Sequence, residues 1–216
     1  NVLHKSTKRN YLARVNDPEY PKAKAAKLAK KFDYDYWDGD RRICYGGYKY
    51  IKGRWSKVAS RIYEHYNLNK KSKILDIGCG KGYLLYEFKE IEPEIEICGL
   101  DISSYAINNS KDEIKSFLKQ GNAISLPWED NYFDLVISIN TLHCLHNYDL
   151  FKALKEIERV GRRDKYICVE TYLSEEQKAN LLYWQVSCEA FNTPKEWEWW
   201  FKLTDYKGDY SFIYFD

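Results

Sequence analysis

A glycine-rich turn in residues 73–82 carries the clearest chemical signal of the sequence. Lys73-Ile-Leu-Asp-Ile-Gly-Cys-Gly-Lys-Gly82 predicts a buried strand with an acid near its carboxyl end, followed by glycines that open a helix. Glycine lets a ligand approach the backbone closely, and the free N–H groups of a helix N-terminus attract an anion. The dinucleotide fingerprint G-x-G-x-x-G needs glycine at position 83, where the chain has Tyr83, so the spacing disfavours a pyrophosphate site.

Two further segments add to this chemistry. Asp101 comes 19 residues after Gly82, at the end of the second predicted strand, where its carboxylate can accept hydrogen bonds from both hydroxyls of a ribose. The segment Gly121-Asn-Ala-Ile-Ser-Leu-Pro-Trp-Glu-Asp130 is followed by a predicted strand and then by Asn140-Thr-Leu-His143. The glycine turn and Asp101 together fit a cofactor that contains adenosine.

In their order and spacing, these three motifs resemble the class I S-adenosylmethionine-dependent methyltransferases, especially the group that acts on small molecules. The resemblance extends over residues 55–170. It implies S-adenosylmethionine as the cofactor and S-adenosylhomocysteine as its product. The cofactor site that it implies consists of Asp76, Gly78, Cys79 and Gly80 around methionine and ribose, Asp101 at the ribose diol, Ile102 on adenine, Asn122 and Ala123 at the adenine edge, and Ile139 and Asn140 beside the methionine moiety.

His143 is the candidate catalytic residue. It follows the fourth predicted strand, at the carboxyl edge of the sheet where ligands bind in open α/β folds. A neutral imidazole there can take a proton from an acceptor hydroxyl or ammonium group. Glu170 and a tyrosine such as Tyr48 are further candidates for taking the proton. A packing role for His143 is the competing hypothesis, because methyl transfer asks mainly for alignment and the exclusion of water.

Aromatic residues are concentrated in two segments that flank the cofactor motifs. Residues 32–55 hold 8 of the 36 aromatic side chains, around the flexible pair Gly46-Gly47, and residues 183–215 hold 12. We expect a loop or hairpin in the first segment and a lid over an acceptor pocket, because aromatic rings stack on sugars and surround cations. The candidate substrate-binding residues are Tyr34, Trp37, Tyr45, Tyr48, Trp184, Trp197 and Trp200. The competing hypothesis is that these rings pack onto the sheet.

The elements that position these motifs alternate between strand and helix. The apolar pattern predicts strands at 73–77, 95–100, 116–120, 133–139, 165–170 and 210–215, and helices at 55–66, 82–90, 103–110 and 148–160. Asp17-Pro18 predicts the start of a helix that runs to Lys31. Ser174-Glu-Glu-Gln177 and Thr193-Pro-Lys-Glu196 predict two more helices, because both fit the capping box.

Short apolar strands between amphipathic helices predict an α/β fold. We expect a Rossmann-like, doubly wound, mostly parallel sheet with helices on both faces, an N-terminal helical extension and aromatic-rich C-terminal helices. The expected division is an N-terminal helical and aromatic extension at residues 1–54 and an S-adenosylmethionine-binding methyltransferase domain at residues 55–216. Only one strand is predicted after the fifth, whereas sheets of the family usually end in an antiparallel hairpin.

The distribution of charge and the spacing of the cysteines argue against several classes of protein. Residues 1–31 carry nine Lys and Arg against two acids, so the remaining 185 residues sum to –5 within the overall +2. A mildly acidic body argues against a nucleic-acid-binding core, and no apolar run is long enough to span a membrane. The cysteines stand singly, without a C-x-x-C pair or a secretory apolar segment near residue 1, so we expect a reduced, cytoplasmic compartment. His143-Cys144-x-His146 has no second cluster beside it, and we expect no metal site.

The sequence therefore predicts an enzyme that transfers a methyl group from S-adenosylmethionine to a small polar metabolite. O-methylation of a sugar or hydroxy compound is favoured over N-methylation of an amine. An RNA-modifying methyltransferase that uses the basic N-terminal arm is a second hypothesis, and a noncatalytic S-adenosylmethionine-binding interaction protein is a third. The identity of the acceptor and the oligomeric state are left open.

Overall fold

Seven parallel strands form one sheet in the computed structural model, which describes residues 6–7 and 10–216. The strands are β1 (Ser6–Thr7), β2 (Lys73–Ile77), β3 (Glu96–Asp101), β4 (Leu118–Gln120), β5 (Phe133–Ile139), β6 (Gly161–Glu170) and β7 (Asp209–Phe215). Their order across the sheet is β1-β7-β6-β5-β2-β3-β4, and every neighbouring pair is parallel. The chain thus runs outward from β2 to β4 and then crosses back to place β5 on the other side of β2.

Helices connect the strands and cover both faces of the sheet. They are α1 (Tyr11–Val15), α2 (Lys22–Ala29), α3 (Tyr34–Trp37), α4 (Ser56–His65), α5 (Tyr83–Ile91), α6 (Ser104–Asn108), α7 (Asp112–Lys115), α8 (Asn147–Val160), α9 (Glu175–Trp184) and α10 (Pro194–Leu203), with a short 3₁₀ helix at Leu142–Cys144. Across residues 6–7 and 10–216, no helix combines the length and the apolar character that a membrane span requires.

The core consists of two apolar layers, one on each face of the sheet. Ile74 of β2 packs in one layer with Phe88 of α5, whereas Leu75 packs in the other with Leu154 of α8 and Trp197 of α10. All five side chains are fully buried. A strand that is buried on both faces explains why the sequence of β2 is continuously apolar instead of alternating.

The fold class and most of the elements are confirmed. Strands β2 and β5 have the predicted bounds, and α9 and α10 begin after the two capping residues, Ser174 and Thr193. The start predicted for the first helix is wrong, because α2 begins at Lys22. Asp17 instead accepts hydrogen bonds from the N–H groups of Glu19 and Tyr20, at 3.0 Å and 2.7 Å, so its carboxylate closes a turn.

The single strand predicted near the C-terminus is present, and it lies parallel to β6. The register pairs Tyr166 with Asp209 and Glu170 with Ile213. Helices α9 and α10 fill the connection and bring the chain back to the end of the sheet where β6 begins, which makes the next strand parallel. In the described part of the chain, a parallel strand and two helices stand where the family usually has an antiparallel hairpin.

Candidate active site

The strand order reverses between β2 and β5, which places the carboxyl ends of both strands at one edge of the sheet. These strands are direct neighbours, with Asp76 opposite Ile137, and β3 lies on the other side of β2. Chains that leave adjacent strands in opposite directions open a crevice in which α/β proteins bind ligands. The glycine turn at residues 78–82 and the segment Asn140–His143 both follow strands that end at this edge.

The glycine turn allows two close approaches that a side chain would prevent. Gly78 has φ +78°, and a Cβ atom there would lie 2.0 Å from Oγ1 of Thr141, so the turn packs directly on the segment after β5. Gly80 has φ +56°, and its Cβ atom would lie 2.7 Å from Cη2 of Trp37. Glycine is therefore required at both positions by conformation and by space.

Two buried carboxyl groups lie beside the glycine turn. Asp101 accepts hydrogen bonds from the N–H groups of Gly80 and Ser103, at 2.7 Å and 2.8 Å, and so ties the turn to the end of β3. Burial raises the pKa of Asp101, although these two hydrogen bonds act against the rise. Asp76 is 5% exposed, and burial together with the nearby Asp101 raises its pKa to about 8. A positive charge bound here would be stabilised, because it would favour the ionised carboxylates.

The remaining residues of the expected cofactor site lie around the same edge. Ile102, next to Asp101, is 49% exposed. Ala123 is buried in the same core layer as Leu75 of β2. Asn122 uses its Oδ1 to accept a hydrogen bond from the N–H of Ile124 at 3.2 Å. Among these remaining residues of the expected cofactor site, Cys79 and Ile139 are half-buried. Asn140 is exposed, has φ +57° and donates its N–H to the carbonyl of Cys168 at 2.9 Å.

Three of the predicted substrate-binding rings form one cluster on the glycine turn. Trp37 stacks on Tyr45 with ring centroids 5.4 Å apart and an interplanar angle of 2°, and Tyr48 lies 5.3 Å from Trp37. Tyr48 also stacks on Tyr83 at the start of α5, at 5.3 Å. Trp37 is 6% exposed and donates its Nε1–H to Oγ of Ser103 at 2.9 Å. The aromatic segment, residues 32–55, thus contains a short helix and a loop that fold over the turn.

An ion pair that was not predicted from the sequence holds this segment in place. Lys81 donates to both carboxylate oxygens of Asp38, at 2.6 Å and 2.9 Å, and Tyr105 donates its O–H to the same carboxylate at 2.8 Å. Burial acts to raise the pKa of Asp38, but the hydrogen bonds from Lys81 and Tyr105 lower it overall. Lys81 is only 3% exposed. The partners are 43 residues apart, so no local pattern in the sequence could have paired them.

The other predicted rings lie elsewhere. Trp197 has no exposed surface and donates its Nε1–H to the carbonyl of Glu170 at 3.1 Å, so it packs in the core. Trp200 is half-buried against the same core layer. Trp184 packs edge-on against Tyr11 with centroids 6.3 Å apart. Tyr34, at the start of α3, is 54% exposed and meets Tyr105 edge-on at 5.8 Å.

His143 forms a buried pair with Glu170, which ends β6. Nε2 of His143 lies 3.5 Å from Oε2 of Glu170, and Gln185 donates its Nε2–H to that same oxygen. The two residues are 2% and 8% exposed. Burial lowers the pKa of His143 to about 4 and raises the pKa of Glu170 to about 8. Both side chains are therefore mainly uncharged at pH 7.

The chain is similar to known methyltransferases. Residues 68–206 match the family model described as "Methyltransferase domain". The tRNA (carboxymethyluridine(34)-5-O)-methyltransferase of Arabidopsis thaliana is 30% identical over 130 residues, which make up 60% of this chain and 30% of that protein. The demethylmenaquinone methyltransferase of Staphylococcus carnosus (strain TM300) is 32% identical over 123 residues, 54% of this chain and 49% of that protein.

Solved structures share the fold. The crystal structure of the YcgJ protein from Bacillus subtilis matches with a TM-score of 0.55 at 20% identity, covering 68% of this chain and 66% of that one. The likeness at this identity concerns the fold alone.

The chain spans less than half the length of the Arabidopsis and Staphylococcus relatives.

Proposed function

The chain belongs to the methyltransferase domain family and is a class I S-adenosylmethionine-dependent methyltransferase, and from this we propose that it methylates a hydroxyl group of a small polar metabolite. The observation that carries the proposal is the aromatic cover over the glycine turn. Trp37, Tyr45 and Tyr48 lie over the edge of the sheet where the cofactor motifs meet. An aromatic cover of this kind suits a small acceptor, because once a ligand is bound beneath it the rings can enclose the ligand and exclude water.

The residues at the glycine turn fit S-adenosylmethionine. The turn has no side chain at Gly78 or Gly80, and the carboxyl groups of Asp76 and Asp101 lie beside it, which suits a ligand with positive charge and a ribose diol. When bound, S-adenosylmethionine supplies a methyl group on a sulfonium that carries its own leaving group. We propose that Asp101 holds the ribose and that Ile102, which is half exposed, packs on the adenine.

The chain's own residues would mainly orient the acceptor and exclude water. The clustered rings of Trp37, Tyr45 and Tyr48, of which the first two are stacked, offer flat apolar surfaces for a sugar or hydroxy compound. They also offer π faces for a cation, so an amine acceptor is the alternative within the same site. We propose His143 as the group that takes the proton of an acceptor hydroxyl, because it lies at the carboxyl edge of the sheet and is uncharged near neutral pH.

The aromatic segment is proposed to act as a lid. Trp37 rests on Gly80, so the segment has to shift before a ligand can contact the turn there. The Asp38–Lys81 ion pair is the contact that would hold the closed position. Trp37→Ala should lower acceptor turnover, whereas Trp199→Ala, which removes a 55% exposed ring from α10, should not. Full turnover by the Trp37 variant would contradict the lid.

The first test is calorimetric titration of the protein with S-adenosylmethionine and S-adenosylhomocysteine. It is followed by incubation with a labelled methyl donor and separate metabolite and RNA fractions. We expect both ligands to bind and the label to enter a small molecule as a methyl ether. Label in an amine would change the acceptor class, and absence of binding by either ligand would overturn the cofactor assignment.

RNA is the second candidate acceptor, because residues 1–31 carry a charge of +7 and one relative is named a tRNA methyltransferase. Replacement of the exposed Lys24, Lys27 and Lys31 by glutamine separates the two acceptor classes and keeps the buried residues of α1 and α2 in place. An RNA substrate predicts binding that weakens as salt is raised and is reduced in the substituted protein, because phosphate contacts release counterions. Methylation of a metabolite that survives at high salt would exclude this candidate.

We also propose a reduced, cytoplasmic setting. The six cysteines are free thiols. Burial raises the pKa of Cys79, Cys144 and Cys168, to about 12 for Cys144 and about 11 for Cys168, so these thiols stay protonated and unreactive at neutral pH. Mass spectrometry after rapid alkylation in cell extract should find all six cysteines reduced, and a disulfide among them would contradict the proposal.

A further inference from the structure

Glu170 makes contacts through both its backbone and its carboxyl group. It lies at the carboxyl end of β6, where its backbone carbonyl accepts the Nε1–H of the buried Trp197 at 3.1 Å. Gln185, which follows α9, donates to Oε2 of the same residue, and this oxygen also faces Nε2 of His143 at 3.5 Å. Contacts with two separate elements thus fix both the backbone and the carboxyl group of Glu170 beside the imidazole.

The second observation concerns the opposite side of the imidazole ring. Nδ1 of His143 is fully buried and has no hydrogen-bond partner. Buried polar atoms are nearly always paired, and leaving one unpaired costs about 1–3 kcal/mol. This unpaired atom lies at the carboxyl edge of the sheet, within the segment that follows β5. An acceptor hydroxyl placed against Nδ1 would supply the missing partner.

We propose that Glu170 is the positioning residue for His143: it holds Nε2 so that Nδ1 is presented to the acceptor hydroxyl, and its carboxylate balances the charge that the imidazole gains. This inference rests on the proposed function, since it assigns the atom that takes the acceptor proton. The acceptor class is kept as the hydroxyl of the proposed function, since an ammonium acceptor can give up its proton to the same nitrogen.

The step balances in atoms and charge. The O–H bond of the acceptor would break as its proton bonds to Nδ1, and the oxygen would form a bond to the methyl carbon of the donor. The S–CH₃ bond would break with its electron pair kept by sulfur, so that the sulfonium becomes a neutral thioether. The imidazolium that results faces the ionised Glu170. The pair then passes one proton to water when the site opens.

His143 can take the acceptor proton through Nδ1 only after the carboxyl group of Glu170 has lost its proton. Burial raises the pKa of Glu170 to about 8, so below that pH the carboxyl group is protonated. Above it, Glu170 is ionised and accepts a hydrogen bond from Nε2, which leaves the lone pair of Nδ1 free. The rate of methyl transfer should therefore rise as the pH rises toward 8 and level off above it.

Other titratable groups around the pair do not interfere in this range. The groups that face it come from β6, the 3₁₀ helix, the aromatic segment and the segment after α9, and they are Cys168, Cys144, Tyr45 and Cys188. Burial raises the pKa of each of them, so all four stay protonated near pH 8. Among the residues that the structure describes, the one basic side chain beside the carboxyl group of Glu170 is that of His143, which is uncharged in this range.

The test uses the cofactor-free protein first, so that it does not depend on activity. Nitrogen-15 NMR of the imidazole groups follows His143 from about pH 5 to about pH 9.5, with the signal assigned from its loss in His143→Gln. In the wild type, the shifts of His143 should change with a midpoint near pH 8, although the ring stays uncharged. Glu170→Gln, which keeps the shape and the hydrogen-bonding capacity, should abolish that change. Glu189→Gln, which removes a nearby carboxylate, should leave it intact.

Measurements of kcat as a function of pH then test whether the Glu170–His143 pair acts in catalysis. With the acceptor found in the labelling experiment, kcat of the wild type should rise about tenfold per pH unit below the midpoint. Glu170→Gln should flatten this profile and lower kcat at about pH 9 by roughly 10- to 100-fold, with the Kd for S-adenosylmethionine unchanged. An alkaline rise that persists in Glu170→Gln would overturn the proposal.

Failure of the proposed function and failure of this inference give different results. If no acceptor is methylated, the proposed function fails, while the NMR titration still decides whether Glu170 and His143 titrate together. Absence of any change in the His143 shifts near pH 8 in the wild type would overturn the pair. If Glu170→Gln does not fold, Gln185→Leu replaces it. Loss of the Gln185 hydrogen bond, which lowers the pKa of Glu170, should move the midpoint to higher pH.

Discussion

The buried carboxyl group of Asp76 makes the stability of the protein depend on pH. Burial, with a contribution from Asp101, raises its pKa to about 8, against about 3.9 for an aspartate in an unfolded chain. Between these two values the folded state keeps a proton that the unfolded state releases. The stabilising effect is thus complete below about pH 4 and is lost as the pH rises through 8.

The substitution Asp76→Asn removes this dependence with little change of shape. Each pH unit between the two pKa values costs the wild type about 1.4 kcal/mol through this one group. From about pH 5.5 to about pH 7.5 the wild type should therefore lose about 2.7 kcal/mol more unfolding free energy than the variant. For a chain of this size, that difference corresponds to a Tm gap that widens by about 5–10 °C over the same range.

Urea unfolding followed by tryptophan fluorescence, repeated at several pH values on ligand-free protein, measures the two curves. Titrating groups that do not interact with Asp76, including Glu170, contribute equally to both proteins and cancel in the difference. Asp112→Asn, which changes an exposed carboxyl group at the start of α7, is the matched control and should run parallel to the wild type. Parallel curves for Asp76→Asn as well would refute the burial argument for this residue.

Three further substitutions test the contacts around the site. Gly80→Ala should destabilise the protein by about 1–3 kcal/mol in urea unfolding, because a Cβ atom would meet Trp37 at 2.7 Å in a left-handed backbone conformation. Trp197→Phe should cost about 1–3 kcal/mol through a lost hydrogen bond to the β6 backbone, yet leave the Kd for S-adenosylmethionine unchanged in calorimetry. Asp38→Asn should speed proteolysis within the aromatic segment, because Lys81 loses its paired charge, and cleavage at the wild-type rate would argue against the ion pair as the clamp.

Local signals predicted the parts of the molecule that local interactions determine. The apolar strands β2 and β5 and the capping residues Ser174 and Thr193 are recognisable within windows of a few residues, and their elements are confirmed. Asp17 shows the limit of such signals, because the same carboxylate can cap a helix or close a turn. The chemistry of its side chain alone does not decide between them.

Contacts between segments that are distant in the sequence determine the features that the sequence could not predict, namely the positions of individual aromatic rings and the direction of the last strand. Trp37 and Trp197 are equally aromatic in the sequence, yet one lies on the glycine turn and the other in the core behind β6. The direction of β7 likewise depends on how far α9 and α10 carry the chain back along the sheet. These outcomes depend on packing among many residues. The amino-acid composition of a segment is the same whether its ring lies on the turn or in the core, and whether the last strand is parallel or antiparallel.

The two carboxyl groups with a pKa of about 8, Asp76 and Glu170, end up at the same edge of the sheet for a physical reason. Both lie at or near the carboxyl ends of parallel strands, where the sheet and the covering helices remove water, and neither has a lysine or arginine partner within the described residues. Stability alone would favour apolar residues at these positions, since each buried carboxyl group weakens the fold as the pH rises. Under the proposed function, a cationic methyl donor beside Asp76 and a proton on His143 beside Glu170 would each offset that penalty, because a positive charge stabilises the ionised carboxylate. Both residues weaken the free protein as the pH rises, and in the proposed reaction each would face a positive charge that offsets this effect.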